Sequence, residues 1–189
     1  MTNETLYLGT NPLNASSTAV EGDYVTRDGE SFYRIANVDG MDDFFISVVS
    51  DSNHWMFIST RGGLSAGRTD CDSALFPYYT EDKIRDNSDN TGSRTIVIAD
   101  QGGKRMLWEP FSRAHKGVYS ITRNLYKNVL GDKLIFEEIN HDLGLQFTYS
   151  WSTSDRFGFV KQSTIASTKN TDSAVEILDG IENLLPYGV

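Results

Sequence analysis

From His141 to Ser152 apolar and polar residues alternate almost without fault. Leu143, Leu145, Phe147, Tyr149 and Trp151 fall on one side; Gly144, Gln146, Thr148, Ser150 and Ser152 fall on the other. Successive side chains of a strand point to opposite faces, so residues 143–151 read as a long strand with one greasy and one wet face. A one-faced strand belongs to an antiparallel sheet packed on something else. Its register is pinned as well, because a slip of one residue would turn every side chain to the wrong face.

The rest of the chain repeats this design in shorter pieces. Residues 24–27 and 30–35 flank Asp28-Gly29, a pair that tolerates the positive φ of a type I′ turn, which predicts a hairpin. Runs at 43–49 and 54–60 are separated by Ser50-Asp51-Ser52-Asn53, a cluster of turn formers. Residues 95–98 and 104–108 bracket Gly102-Gly103, and 118–126, 133–139, 157–165 and 173–177 have strand character. Two short helices are expected. Thr80 can cap a turn or two over 80–86, where acidic residues come first and basic ones later. Asp179 can cap a second, with Glu182 three residues on and Ile181, Leu184 and Leu185 as its apolar side. About ten strands joined by short turns predict an all-β fold, an antiparallel β-sandwich with one or two short helices; a closed barrel is the alternative.

At 189 residues, one domain is the default. Residues 1–22 read as a polar leader, 23–178 as the sandwich and 179–189 as the start of a linker to a further domain. Three Trp, nine Tyr and ten Phe provide a large core and favour strands. A net charge of −9 argues against nucleic acid and anionic membranes as partners, since both attract basic patches. No stretch approaches the length of a membrane span, and residues 1–19 lack a basic segment followed by an apolar one. With Cys71 the single cysteine, no internal disulfide can form. These features predict a cytoplasmic setting.

No nucleophile–base set, metal-ligand cluster or phosphate loop stands out. Glu137 and Glu138 are adjacent on a strand, so they face opposite ways and cannot flank one bond as an acid–base pair. His54, Asp70, Cys71 and Asp72 lack metal-ligand spacing. No catalytic residue, metal or cofactor is assigned. The most unusual stretch is Arg61 to Lys83, which is rich in Gly, Arg and Tyr. Glycine lets backbone approach a ligand, arginine grips anions in a fork, and tyrosine stacks on sugar rings. Its plainer reading is a structured connection whose arginines pair with Asp70 and Asp72. The other reading makes Arg61, Arg68, Asp70, Tyr78, Tyr79, Asp82 and Lys83 a carbohydrate-binding or interface edge.

Three groups of residues carry a family resemblance. The first is Gly62-Gly63-Leu64-Ser65-Ala66-Gly67-Arg68, followed by Leu75-Phe76-Pro77-Tyr78-Tyr79-Thr80-Glu81-Asp82-Lys83-Ile84. The second is Tyr126-Lys127-Asn128, Phe136-Glu137-Glu138-Ile139-Asn140 and Phe157-Gly158-Phe159-Val160, and the third is residues 178–189. In this order the chain resembles the N-terminal β-sandwich region of large bacterial carbohydrate-processing proteins related to cellobiose phosphorylase. The resemblance implies a mutarotase-like supersandwich, followed in the parent by helical linkers and an α/α toroid carrying the catalytic acid. It implies a non-catalytic domain that shapes the active site or subunit interface of a glycoside phosphorylase or hydrolase. The implied partners are the downstream catalytic domain, carbohydrate and a second copy in a homodimer. Two other functions stay open: a free-standing carbohydrate-binding module, or a structural assembly domain. The apolar Ile181, Leu184, Leu185 and Tyr187 are expected to meet a partner surface.

Overall fold

The computed structural model describes residues 5–9, 11–12, 18–78, 80, 83–84, 88–170 and 172–185. Among them, a two-residue ladder pairs β1 (Tyr7–Leu8) with β2 (Asn11–Pro12). The main sheet holds β3 (Glu21–Arg27), β4 (Glu30–Ala36), β10 (Ile121–Asn128), β11 (Lys133–Asn140), β12 (Leu145–Ser154) and β13 (Gly158–Ser167). Their order across it is β13-β12-β11-β10-β4-β3, and every pair is antiparallel. Two three-stranded sheets cover one face. One has the order β5 (Phe45–Val48), β6 (His54–Ser59), β7 (Leu64–Arg68). The other has the order β14 (Val175–Glu182), β8 (Gly92–Gln101), β9 (Lys104–Trp108). The result is an all-β, antiparallel sandwich.

The core lies where the alternation places it. Leu145, Phe147, Tyr149 and Trp151 of β12 are all buried against Met56, Ile58, Leu64, Val97 and Trp108 from the covering sheets. Leu143 is buried too, but in the turn before β12, so the strand begins two residues later than the pattern alone suggests. Phe136 and Tyr149 are register partners whose rings stack at 4.7 Å, and Phe111 meets Tyr149 edge-on at 5.2 Å. Each such side chain removed from water contributes roughly 1.5–3 kcal/mol, and the paired rings add somewhat more. The hairpin turns also follow from composition. Asp28 and Gly29 have φ of 49° and 79°, and Gly102 and Gly103 have 57° and 77°, the doubly left-handed geometry of type I′ turns.

The expected C-terminal helix is not formed. Residues 175–182 are instead strand β14, running antiparallel to β8 from Val175 opposite Ala99 to Glu182 opposite Gly92. Asp179 therefore caps nothing. Its carboxylate accepts from its register partner Thr95, Oγ1 at 2.6 Å, and from Lys161 Nζ at 2.8 Å. An eight-residue ladder satisfies more backbone groups than one helical turn could, and tertiary pairing overrides the local signal. Of the helix expected at 80–86, the described residues carry its opening: the Thr80 carbonyl accepts from both Lys83 N and Ile84 N at 3.0 Å. The remainder of that expectation lies outside the described residues. No helix among the described residues is long and apolar enough to cross a membrane.

Candidate functional site

The wet face of the main sheet carries a polar network. Register places Glu137 of β11 between Thr148 of β12 and Asn124 of β10, all on the face turned away from the core. Glu137 is only 5% exposed although no sheet among the described residues covers it. Its Oε1 accepts from Arg27 Nη1 at 3.3 Å and Gln146 Nε2 at 3.0 Å. Its Oε2 accepts from Asn124 Nδ2 at 2.8 Å and Tyr126 Oη at 2.6 Å. Four donors fill the acceptor positions of one carboxylate.

Arg27 shows how the sheet is shaped. It sits on β3, three strands away from β11, which is about 14 Å across a flat sheet. An arginine cannot reach that far, so the sheet must curl toward its wet face. The guanidinium lies 4.4 Å from the centre of the Tyr126 ring and ends on Glu137. Glu30 repeats the reach, accepting from Lys133 Nζ of β11 at 2.6 Å and from Asn128 Nδ2 at 2.6 Å. The hydrogen bond from Lys133, then that from Asn128, holds the Glu30 carboxyl below the ordinary carboxylate range. Burial first, and its bond to Glu137 second, pushes the Tyr126 phenol up to about 12.

Beside this network lies a trough of about 330 Å³. Its walls are Arg27, Glu30, Phe32 and Lys133 on one side, with Gln146, Thr148, Ser150, Ser152, Gln162 and Thr164 on the other. Glu137 positions these groups, while the hydroxyls and amides of β12 and β13 are the ones that face solvent. Chemically the trough offers a grid of donors and acceptors flanked by a wall on which Arg27 and Lys133 are balanced by Asp28 and Glu30. Side-chain amides and hydroxyls of this kind can both donate to and accept from hydroxyl groups. Glu138, the neighbour of Glu137, points into the core, where it accepts from Trp108 Nε1 at 2.7 Å, Phe111 N at 2.6 Å and Arg123 Nε at 2.7 Å. The two carboxylates therefore face opposite ways, as their adjacency on a strand requires.

The residues singled out between Arg61 and Lys83 do not converge on one place. Arg61 lies in the turn before β7, with Nε 3.9 Å from Asp43, beside a small pocket lined by Asp39, Arg113 and Arg123. Arg68 ends β7 at the other end of that strand. Asp70 and Tyr78 lie near Arg68, both touching Trp55. The Asp70 carbonyl accepts from Trp55 Nε1 at 3.1 Å, and Tyr78 meets the indole edge-on at 5.8 Å. The Asp70 carboxylate accepts from Ser73 N at 3.1 Å and closes a turn. Lys83 lies in the helical turn that Thr80 opens, and Tyr79 and Asp82 lie outside the described residues. Asp70 is thus occupied by a turn and Arg61 stands opposite Asp43, not the expected Asp70 or Asp72. The wet-face network was missed because each member looks like an ordinary surface residue. The available signal was the polar half of the 143–152 alternation, Gln146, Thr148 and Ser150, read together with the odd carboxylate Glu137. Comparison with known protein families and with curated proteins finds no match for this chain.

Proposed function

We propose that this chain is a non-catalytic, carbohydrate-binding β-sandwich that serves as an accessory domain of a glycoside phosphorylase- or hydrolase-like enzyme. The observation that carries the reading is the curled wet face, where Glu137, Arg27 and Tyr126 anchor a trough lined by Gln146, Thr148, Ser150, Gln162 and Thr164. A sugar presents closely spaced hydroxyls, each both donor and acceptor, and side-chain amides and hydroxyls at strand spacing complement them. Glu137 has its acceptor positions filled by protein donors, so its role in this reading is to position the wall rather than to move a proton. The resemblance of residues 62–68 and 75–84, of 126–128, 136–140 and 157–160, and of 178–189 to the sandwich of cellobiose phosphorylase-related proteins supports the enzyme context.

The test is a nuclear magnetic resonance titration of the chain with cellobiose, maltose and their longer oligomers. The chain has three glutamines. The side-chain amides of Gln146 and Gln162 are expected to shift, while that of Gln101, which donates to the Asp142 carbonyl at 3.1 Å on another surface, stays put. Thr148→Ala and Gln146→Ala should weaken the response severalfold without unfolding the domain. If no oligosaccharide moves the Gln146 or Gln162 signals at tens of millimolar, the carbohydrate reading fails.

A further inference from the structure

A second concavity lies between the β12–β13 hairpin, β7 and the end of β14, on the core side of the sheet rather than on its wet face. It encloses about 440 Å³, and its floor is aromatic: Trp151 meets Phe76 edge-on at 6.3 Å, and Phe159 meets His54 at 5.1 Å. Two features of its lining are not explained by folding alone.

The first is Trp151, which is 2% exposed and whose indole Nε1 is buried with no hydrogen-bond partner among the described residues. The chain has three tryptophans, and the other two donate: Trp55 to the Asp70 carbonyl and Trp108 to Glu138. A buried indole N–H without an acceptor is uncommon, because tryptophan in a core normally finds one. The second is a pair of guanidinium groups at the mouth, Arg68 and Arg156. The arginines of the wet face, the core and the covering sheet each meet a carboxylate: Arg27, Arg34, Arg94, Arg105 and Arg123 all do. Arg68 has no carboxylate partner among the described residues, and Arg156 lies 5.2 Å from the centre of the Phe157 ring instead. In a chain of net charge −9, two cations without a carboxylate partner at one mouth form a local field suited to an anion.

We propose that this pocket binds a small organic oxyanion. Its flat, apolar body lies against Phe157 and Phe159 over the buried rings of Phe76 and Trp151, its charged group sits between Arg68 and Arg156, and an acceptor atom takes the Trp151 N–H as the ligand parts the side chains that cover it. Asp155, the one carboxylate among the described residues lining the mouth, belongs to the same turn as Arg156 and sets an upper limit on how much negative charge is accepted. The site is independent of the wet-face trough and shares none of its residues.

The probes are phenyl phosphate and benzoate, with phenol as the neutral counterpart and inorganic phosphate as the anion without a body. Titration followed by the indole N–H signals is expected to move Trp151 saturably and leave Trp108 unmoved. The stronger of phenyl phosphate and benzoate identifies the oxyanion. Phenol and inorganic phosphate should each bind at least tenfold more weakly. Arg68→Gln and Arg156→Gln should each weaken binding about five- to tenfold with an unchanged melting temperature. Trp151→Phe, which keeps an aromatic floor but removes the N–H, should stay folded and lose affinity. The proposal is overturned if the Trp151 signal stays still with both anions, if phenol binds as well as phenyl phosphate, or if the arginine variants bind like the parent chain.

Discussion

Replacing Glu138 by Gln changes one atom in the core and should cost the domain a large share of its stability. Glu138 is 1% exposed, and its two oxygens accept from an indole N–H, a backbone N–H and a guanidinium. A glutamine can keep its carbonyl toward Phe111 N and Arg123 Nε. Its NH₂ group then faces Trp108 Nε1, donor against donor, where the bond had been 2.7 Å. Arg123 also loses its nearest counter-charge. Breaking a buried ion pair from one side typically costs about 3–5 kcal/mol. The lower end applies here, because Asp39 still stands 3.2 Å from Arg123 Nη1 and the Ser112 carbonyl accepts from Nη2 at 3.3 Å. About 3 kcal/mol corresponds to roughly 6–12 °C in melting temperature for a domain of this size. Urea and thermal unfolding at 0.05 and 0.5 M salt provide the assay, and the deficit should persist at high salt because a buried pair is little screened. The double variant Arg123→Met, Glu138→Leu should recover little, because it removes the unpaired charge but leaves Trp108 Nε1 and Phe111 N without their acceptor. A loss below 1 kcal/mol for Glu138→Gln, or one that vanishes with salt, would show that the pair is not what holds Trp108 and the 111 turn against the sheet.

Other expectations follow from single contacts. Asp179 is held below the ordinary carboxylate range: burial acts to raise it, but the bonds from Lys161 and Thr95 outweigh that. A depressed folded-state value means the stabilisation is present above the unfolded value, about 4, and is lost as pH falls through the lower one. Asp179→Asn should therefore be less stable than the parent chain at pH 7, with the gap closing in acid; a gap independent of pH would refute the assignment. Gly158 has φ of 72°, and a Cβ there would stand 2.8 Å from His54 Nε2. Gly158→Ala should cost about 1–2 kcal/mol by chemical denaturation, from the left-handed backbone and the displaced ring. Tyr126→Phe removes one of four donors to Glu137 and should cost about 1–2 kcal/mol. The parent chain should also contain a phenol that ionises near pH 12 by ultraviolet titration, and this step should be missing from the variant.

Alternation and turn chemistry carried most of the fold because both are local. The greasy face of 143–151, the two type I′ hairpins and the opposed pair Glu137 and Glu138 need no knowledge of distant residues. The C-terminal segment shows the limit. Asp179-Gly-Ile-Glu182 has the letters of a capping box, yet β8 offers eight paired backbone positions and Thr95 and Lys161 take the carboxylate. Nothing within residues 175–185 announces that strand 92–99 will lie alongside. Local propensity is a weak vote when a long ladder competes.

The candidate site was harder to read for a related reason: it is made by register and curvature rather than by a motif. Thr148 stands beside Glu137 because β12 pairs with β11 in one particular register, and Arg27 reaches Glu137 because the sheet bends across two intervening strands. Sequence separations of 9 to 110 residues join the members of one network. The Arg61–Lys83 stretch had the opposite character. Its Gly, Arg and Tyr are conspicuous in sequence, but β7 sends Arg61 and Arg68 to different ends of the covering sheet. Arg68 instead lines one pocket with Trp151 and Arg156, residues more than eighty positions away in the β12–β13 hairpin. Composition marked where unusual side chains are, whereas the pairing of β12 decides which of them can act together.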